Sequence, residues 1–503
     1  MKGDYLERIL LARVYDVARE STLESAPLLS ARLGCRVLLK REDEQPTFSF
    51  KIRGAYNKMS RLDAEARRQG VIAVSAGNHA QGVALAARKL GTTALIVMPV
   101  TASAIKVRAV EALGARVVLH GDSVDDAATE ARRLAEQEHR AFIHPFDDPD
   151  VIAGQGTVGL EILRQHPGRL DVIFVPVGGG GLIAGIASYV KKLRPEVKII
   201  GVEPVDAAGM ARSLEAAKRV ELKEVGTFAD GVAVKKVGEE TFRICRTHVD
   251  EMILVDSDAI CAAIKDVFED TRTIMEPAGA LSVAGLKVYA SRGVKPEETL
   301  VAVTSGANMN FDRLRHVSER AEIGEEREAL FAVTIPERPG SLRAFAELLG
   351  PHNITEFNYR YGSDERARVF VGVSVVGRAE AARLADAFRN AGFDTLDLSQ
   401  NEMAKLHVRY MVGGHRPPTT DEIVRRFEFP ERPGALRHFL DAMSSRWNIS
   451  LFHYRNHGAD YGRVLIGMQV PEQERREFAR FVAAVGYASV DETGNPAYEL
   501  FLG

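Results

Sequence analysis

The chain has 503 residues, too many for one hydrophobic core, which predicts roughly two to four domains. With 66 basic against 69 acidic residues the net charge is −3, so neither nucleic acid nor an anionic membrane is an expected partner and a small molecule is. No apolar run approaches the ~20 residues of a membrane helix, the start MKGDYLERIL lacks the zones of a secretory signal, and Cys35, Cys245 and Cys261 are odd in number and widely spaced, so a cytoplasmic protein without a disulfide framework or zinc site is expected.

In chain order, the first stretch with a chemical signature is PTFSFKIRGAYN (46–57). Lys51 stands among Phe48, Phe50 and Ile52, which read as buried neighbours. Desolvation disfavours an ammonium, and the neutral amine is the form that attacks a carbonyl, so Lys51 is a Schiff-base candidate. The competing reading is a lysine whose stem lies along an apolar strand edge while its head stays in water.

From Leu38 to residue 320, short β-branched runs alternate with longer helical patterns, an α/β rhythm. VIAVS (71–75) predicts a strand, HAQGVALAARKLG (79–91) a helix closed by Gly91, and TALIVMP (93–99) the next strand. A second βαβ unit runs VIFVPV (172–177), GGGG (178–181), LIAGIASYVKKL (182–193) and KIIGVEP (198–204). Two such units far apart predict two parallel-sheet lobes with a cleft between them.

Three junctions in this region suit a ligand. SAGNHAQG places Ser75, Gly77 and Asn78 where backbone N–H groups and a helix dipole favour a carboxylate, although a helix cap would read the same way. Gly178, Gly179, Gly180 and Gly181 allow close approach and several N–H donors on one phosphate. Neither a Lys-Ser/Thr pair nor a G-x-G-x-x-G spacing accompanies them, which disfavours a nucleotide or dinucleotide site. VAVTSGANMN (301–310) ends a strand in Ser305, whose hydroxyl sits where a cleft is expected.

After residue 320 the texture changes, with SERAEIGEEREA (318–329) reading as a solvated linker or linker helix. A repeat follows: FAVTIPERPGSLRAF (331–345) returns as RRFEFPERPGALRHF (425–439), and HNITEFNYRY (352–361) as WNISLFHYRN (447–456). Such a period is a domain length, well above the ~20–50 residues of a solenoid repeat. Each copy reads strand, turn, helix, strand, loop, strand.

SFKIRGA, SAGNHAQG, PVGGGGL, ADGVAVK, EPAGALSVAG and TSGAN appear in the order of the fold type II (β-family) pyridoxal phosphate enzymes, and the chain resembles in particular their biosynthetic threonine deaminase branch. The resemblance implies a two-lobed, tryptophan synthase β-like catalytic domain over 1–320, with a small lobe at 42–150 inserted, and two ACT-like α+β regulatory subdomains at 321–410 and 411–503. It implies that Lys51 carries pyridoxal 5′-phosphate, with Phe50 packed nearby. Asn78 would meet the ring oxygen, Gly178 to Gly181 and the N–H of Leu182 the phosphate, and Ser305 the pyridine nitrogen. Ser75, Ala76, Gly77 and Asn78 would take the substrate carboxylate. Deamination of L-threonine to 2-oxobutanoate and ammonia is the implied reaction, with L-serine as a second substrate, isoleucine as inhibitor, valine as activator and a homotetramer as the assembly.

The lysine would act as the base at Cα, and the cofactor phosphate is the nearest acid for the leaving hydroxyl, since the motifs offer no side chain for it. Glu276 is a candidate to line the substrate side, but ahead of Pro277 it reads equally as a helix start and is left outside the catalytic set. Serine racemases carry a serine where this chain has Ala76, and cation-binding relatives a carboxylate where it has Gly209, so neither racemisation nor a metal is expected although Glu203 is kept. In the repeat, Tyr359, Tyr454 and Arg455 are candidate effector contacts, a hydroxyl and a guanidinium suiting a carboxylate. The alternatives are a serine-acting or β-replacement relative of the same fold, and an amino-acid sensor with a decayed catalytic lobe.

Overall fold

The computed structural model describes residues 4–336, 341–350, 352–361, 366–411, 421–430, 435–443, 447–455 and 461–502. They form two compact units, Met1–Val317 and Ser318–Gly503.

The first unit holds two sheets. In the larger, six strands run in the order Leu23–Ser25, Arg36–Arg41, Thr299–Thr304, Val172–Pro176, Lys198–Pro204 and Glu251–Val255, all parallel except the first. The smaller has four parallel strands ordered Arg116–Leu119, Ala94–Met98, Val71–Val74 and Ala141–Phe142. Central strands such as Ala94–Met98 and Val172–Pro176 are buried along their whole length, which is why they read as continuous apolar runs rather than alternating ones. Lys198–Pro204 matches the sequence expectation residue for residue, and Asn78–Leu90 ends at Gly91, whose φ of +66° is the left-handed stop that glycine permits.

Two expectations need correction here. Phe48 is 58% exposed and sits at φ +53°, so only Phe50, partly, and Ile52, wholly, bury against the lysine's helix. Lys51 itself opens that helix, Lys51–Ser60, rather than lying at a strand edge. Of the two readings of the charged stretch after residue 318 the helix holds and the solvated linker does not: Arg313–Gly324 is helical with Ala321, Ile323 and Arg320 buried, and Glu328 already begins a strand. Its buried charge is paired, Arg320 with Glu402 at 2.7 Å.

The second unit contains two antiparallel four-stranded sheets of the same order. In the first, Ile354–Tyr361, Arg366–Ser374, Glu328–Pro336 and Asp394–Asp397 are neighbours; in the second, Asn448–Arg455, Tyr461–Gln469, Glu422–Pro430 and Ser489–Asp491. Each copy therefore extends past the predicted third strand by a helix, Arg378–Asn390 or Arg475–Val485, and a short fourth strand. Even the polar pairs repeat: Thr355 donates to Glu328 as Ser450 does to Glu422, and Asn401 and Asn495 each accept from the N–H of a following alanine. The turn residues 337–340 and 431–434 lie outside the described residues. Among the described residues, no helix is long and apolar enough to cross a membrane.

Candidate active site

The loop before Lys51 is stitched to the end of strand Thr299–Thr304. Phe50 N–H donates to Ser305 O at 3.2 Å and Ala307 N–H to Phe48 O at 2.9 Å, so Lys51 and Ser305 are neighbours by backbone pairing. Helix Asn78–Leu90 comes close because Gly82 has no side chain; a Cβ there would stand 3.2 Å from Ile52 N. The Lys51 amine donates to Pro145 O at 3.1 Å and lies 5.2 Å from the Phe50 ring centre. Burial lowers its pKa to about 8, with Glu276 acting in the opposite sense. His79, one helical residue on from Asn78, is a core histidine: it is buried, bonded through Nε2 to Ile143 O at 2.9 Å, and kept neutral by burial with a pKa of about 3.

Ser75 to Asn78 form the exit of strand Val71–Val74 and the start of helix Asn78–Leu90, all partly exposed. Gly77 N–H donates to Ser75 Oγ at 3.1 Å, while the first N–H groups of the helix have no partner within it. Asn78 is held on both sides. Asn308 Nδ2, itself anchored by donating to Thr47 O at 2.8 Å, donates to Asn78 Oδ1 at 2.7 Å, and Asn78 Nδ2 donates to Glu276 Oε1 at 2.5 Å. With the carbonyl end taken by Asn308, the amide can turn only N–H groups toward the site.

The four glycines join strand Val172–Pro176 to helix Gly181–Leu193, and Gly180 has φ +95°. A Cβ on Gly179 would lie 2.2 Å from the Phe146 ring and one on Gly178 2.9 Å from Val232 Cα. Among the described residues, none accepts a hydrogen bond from the backbone N–H of residues 178–182, although Gly179 to Leu182 are buried. Buried donors without acceptors are costly, so this cradle is built for an anionic group. Residues 145 and 146 connect it to the lysine, one through its carbonyl and the other through its ring. Ser305 is buried, donating its hydroxyl to Ala278 O at 3.3 Å, and stays neutral rather than acidic.

The cradle, the amine and the neutral hydroxyl fit a phosphorylated pyridine aldehyde, and the comparisons agree. Residues 14–306 match the model of the pyridoxal-phosphate dependent enzymes, and 319–408 with 417–502 match the C-terminal regulatory domain of threonine dehydratase. The chain belongs to the pyridoxal-phosphate dependent threonine dehydratase family. It is 59% identical over 502 residues to the L-threonine dehydratase biosynthetic IlvA of Burkholderia multivorans, covering 99% of both chains. To the chloroplastic biosynthetic threonine dehydratase of Arabidopsis thaliana it is 57% identical, covering 96% of this chain and 82% of that one. The processed threonine deaminase isoform 2 of Solanum lycopersicum superimposes with a TM-score of 0.62 at 53% identity, over 63% of this chain and 88% of that one.

Within this family framework the structure gathers Lys51, Phe50, Asn78, Gly178 to Leu182 and Ser305 into one set, with Ser75, Ala76 and Gly77 at its rim. Tyr359, Tyr454 and Arg455 fall on strands Ile354–Tyr361 and Asn448–Arg455, and their side chains lie outside the described residues. Three neighbours of the set were not assigned to it from the sequence: Glu276, weighed and left out, and Asn308 and Phe146, which were missed. The first two stand inside quoted motifs, EPAGALSVAG and TSGAN, where their polar type was the available signal; Phe146 left none. Glu203, buried with a pKa raised to about 7, spends both oxygens on the N–H groups of Met210 and Ala211 at 2.8 Å each, the role of a helix cap.

A Gly179→Ala variant tests the cradle. The added methyl meets the Phe146 ring, and overpacking of this kind costs roughly 1–3 kcal/mol. Expected is weakened retention of the cofactor, read as loss of its bound absorbance on dilution; a variant that holds the cofactor as tightly as the parent would show that the glycines serve only packing.

Proposed function

We propose that this chain deaminates L-threonine to 2-oxobutanoate and ammonia as the first committed step of isoleucine biosynthesis, with L-serine as a second substrate, and that isoleucine inhibits and valine activates it through the duplicated regulatory subdomains. The observation that carries the reading is the Lys51 amine, held by Pro145 O beside an anion cradle and lowered by burial to about 8. At that value a usable fraction is neutral at physiological pH, the form required of a base and nucleophile.

Pyridoxal phosphate, when bound, supplies an electron sink for the pair left behind by the α-proton. The chain's residues do the rest. The N–H groups of residues 178–182, which have no acceptor among the described residues, would hold the phosphate, the Asn78 amide would offer N–H to the ring oxygen, and Ser305 would supply a neutral hydroxyl at the ring nitrogen. A neutral hydroxyl does not enforce a protonated ring, which weakens the sink and favours expulsion of a β-substituent over transamination. The turn at Ser75 to Asn78 orients the substrate carboxylate, leaving the α-hydrogen to the Lys51 amine.

Effector control would follow from different affinities of isoleucine and valine for two states of the enzyme, with Tyr359, Tyr454 and Arg455 as contacts. We also place the protein in the cytoplasm as a homotetramer. The test is 2-oxobutanoate formation by the purified protein over a range of threonine concentrations, with and without isoleucine. Turnover that becomes sigmoidal and weaker with isoleucine is expected, and valine should reverse it. Turnover indifferent to isoleucine removes the feedback claim, and no 2-oxobutanoate at all removes the threonine reading.

A further inference from the structure

A hydroxide is a poor leaving group, so loss of the β-hydroxyl needs a proton donor, and the site holds a buried carboxyl, Glu276, with no ion-pair partner among the described residues. Glu276 is the residue preceding helix Pro277–Ala290, the place where an acidic side chain ordinarily caps the helix, yet it makes no capping bond. Its side chain turns the other way. It is 5% exposed, takes the Asn78 amide at 2.5 Å, and forms no ion pair among the described residues. Glycines make room for it on two sides: a Cβ on Gly306 would lie 2.7 Å from Oε1, and one on Gly231 3.6 Å. The charged groups facing it are Lys51 on helix Lys51–Ser60, Asp230 on the turn Asp230–Val232, Lys106 on helix Ala104–Ala112 and Arg313 on helix Arg313–Gly324. Lys106 and Arg313 are themselves spent on Asp230, at 2.7 and 3.4 Å, so they leave Glu276 without a dedicated cation.

Resting on the threonine reading, we propose that Glu276 is the catalytic acid that protonates the departing β-hydroxyl. The substrate lies between the turn Ser75 to Asn78 and the Lys51 amine, and Glu276 is bonded to one and within electrostatic reach of the other. As Cβ–O breaks, the carboxyl proton passes to the oxygen and water leaves; the α-hydrogen goes to Lys51, and Cα=Cβ forms. Lys51 then returns its proton to the Glu276 carboxylate, which restores both groups with no other reagent. Burial, with Asp230 behind it, raises the carboxyl's pKa to about 7, so it carries a proton in a useful fraction of molecules at neutral pH.

The test compares leaving groups in the holoenzyme and its Glu276→Gln variant. Chloride departs without a proton, so β-chloro-L-alanine bypasses the acid while using every other residue. We expect E276Q to keep the cofactor spectrum, to eliminate chloride near the parent rate, and to lose roughly 10²-fold or more in kcat on threonine and serine. A second readout is independent of turnover: the carboxylic acid C=O band in difference infrared spectra should titrate near pH 7 in the parent and be missing from E276Q. Equal losses on chloride and hydroxyl substrates would make Glu276 a structural support and overturn the proposal, as would undiminished threonine turnover. A parent that eliminates from serine but not threonine would instead overturn the substrate reading, and serine against chloroalanine would still decide the acid.

Discussion

Lys51→Ala is expected to abolish deamination, with a loss of at least about 10²–10⁴-fold from the missing general base alone, and further loss from the missing covalent anchor of the cofactor. Two groups near Lys51 are poor substitutes: His79 is buried, bonded to Ile143 O and neutral, and Glu276 is a weaker base held as an acid. Lys51→Arg is expected to fail equally, because a guanidinium with a pKa above ~12 cannot give up its proton. Two measurements check this, 2-oxobutanoate release and borohydride trapping of the cofactor on the chain. A variant at parental turnover would remove Lys51 from the mechanism.

The largest loss of stability is expected from Arg53→Ala, two residues further along the same helix. Arg53 is fully buried, and every guanidinium nitrogen is bonded: Nε to Glu42 at 2.7 Å, Nη1 to Glu161 at 2.5 Å and Thr157 at 3.1 Å, Nη2 to Glu42 at 2.8 Å and Glu161 at 2.9 Å. Lys40 completes the cluster at 2.7 Å from Glu161. Burial pushes the Glu161 carboxyl up, and Arg53 and Lys40 more than offset it, holding it ionised. Removing the guanidinium strands two buried carboxylates against one lysine, a cost of roughly 3–5 kcal/mol. It should appear as a lower midpoint of urea unfolding at an unchanged slope. Replacing Arg53, Glu42 and Glu161 together with apolar residues of similar volume should cost far less, since the penalty lies in the uncompensated charge. A single variant within 1 kcal/mol of the parent would mean that water or rearrangement already screens the pair.

The junctions at residues 75–78, 178–181 and 305 were legible because short motifs report local geometry. A run of glycines between a strand and a helix describes one loop, SAGNHAQG, PVGGGGL and TSGAN each follow or end a strand, and SFKIRGA opens a helix. Strand Lys198–Pro204 and the Gly91 stop were equally readable, since burial of both sheet faces and a left-handed residue leave marks within a few positions. The duplicated second unit was visible from self-similarity, though each copy's second helix and fourth strand were missed because those segments resemble one another less.

What the residues by themselves determined is thus the α/β class, the duplication, and which backbone junctions and which lysine are candidates for a ligand site. Only the tertiary structure decided that Glu276 faces Asn78 instead of capping its helix, that Asn308 orients the Asn78 amide, that Phe48 faces solvent, and that Arg53 joins Glu42 to Glu161. The reason is range. Helix and strand periods, glycine dihedrals and turn chemistry are set by residues a few positions apart, whereas the environment of a buried charge is set by groups that packing brings from 108 and 198 positions away, as Glu161 is from Arg53 and Glu276 from Asn78.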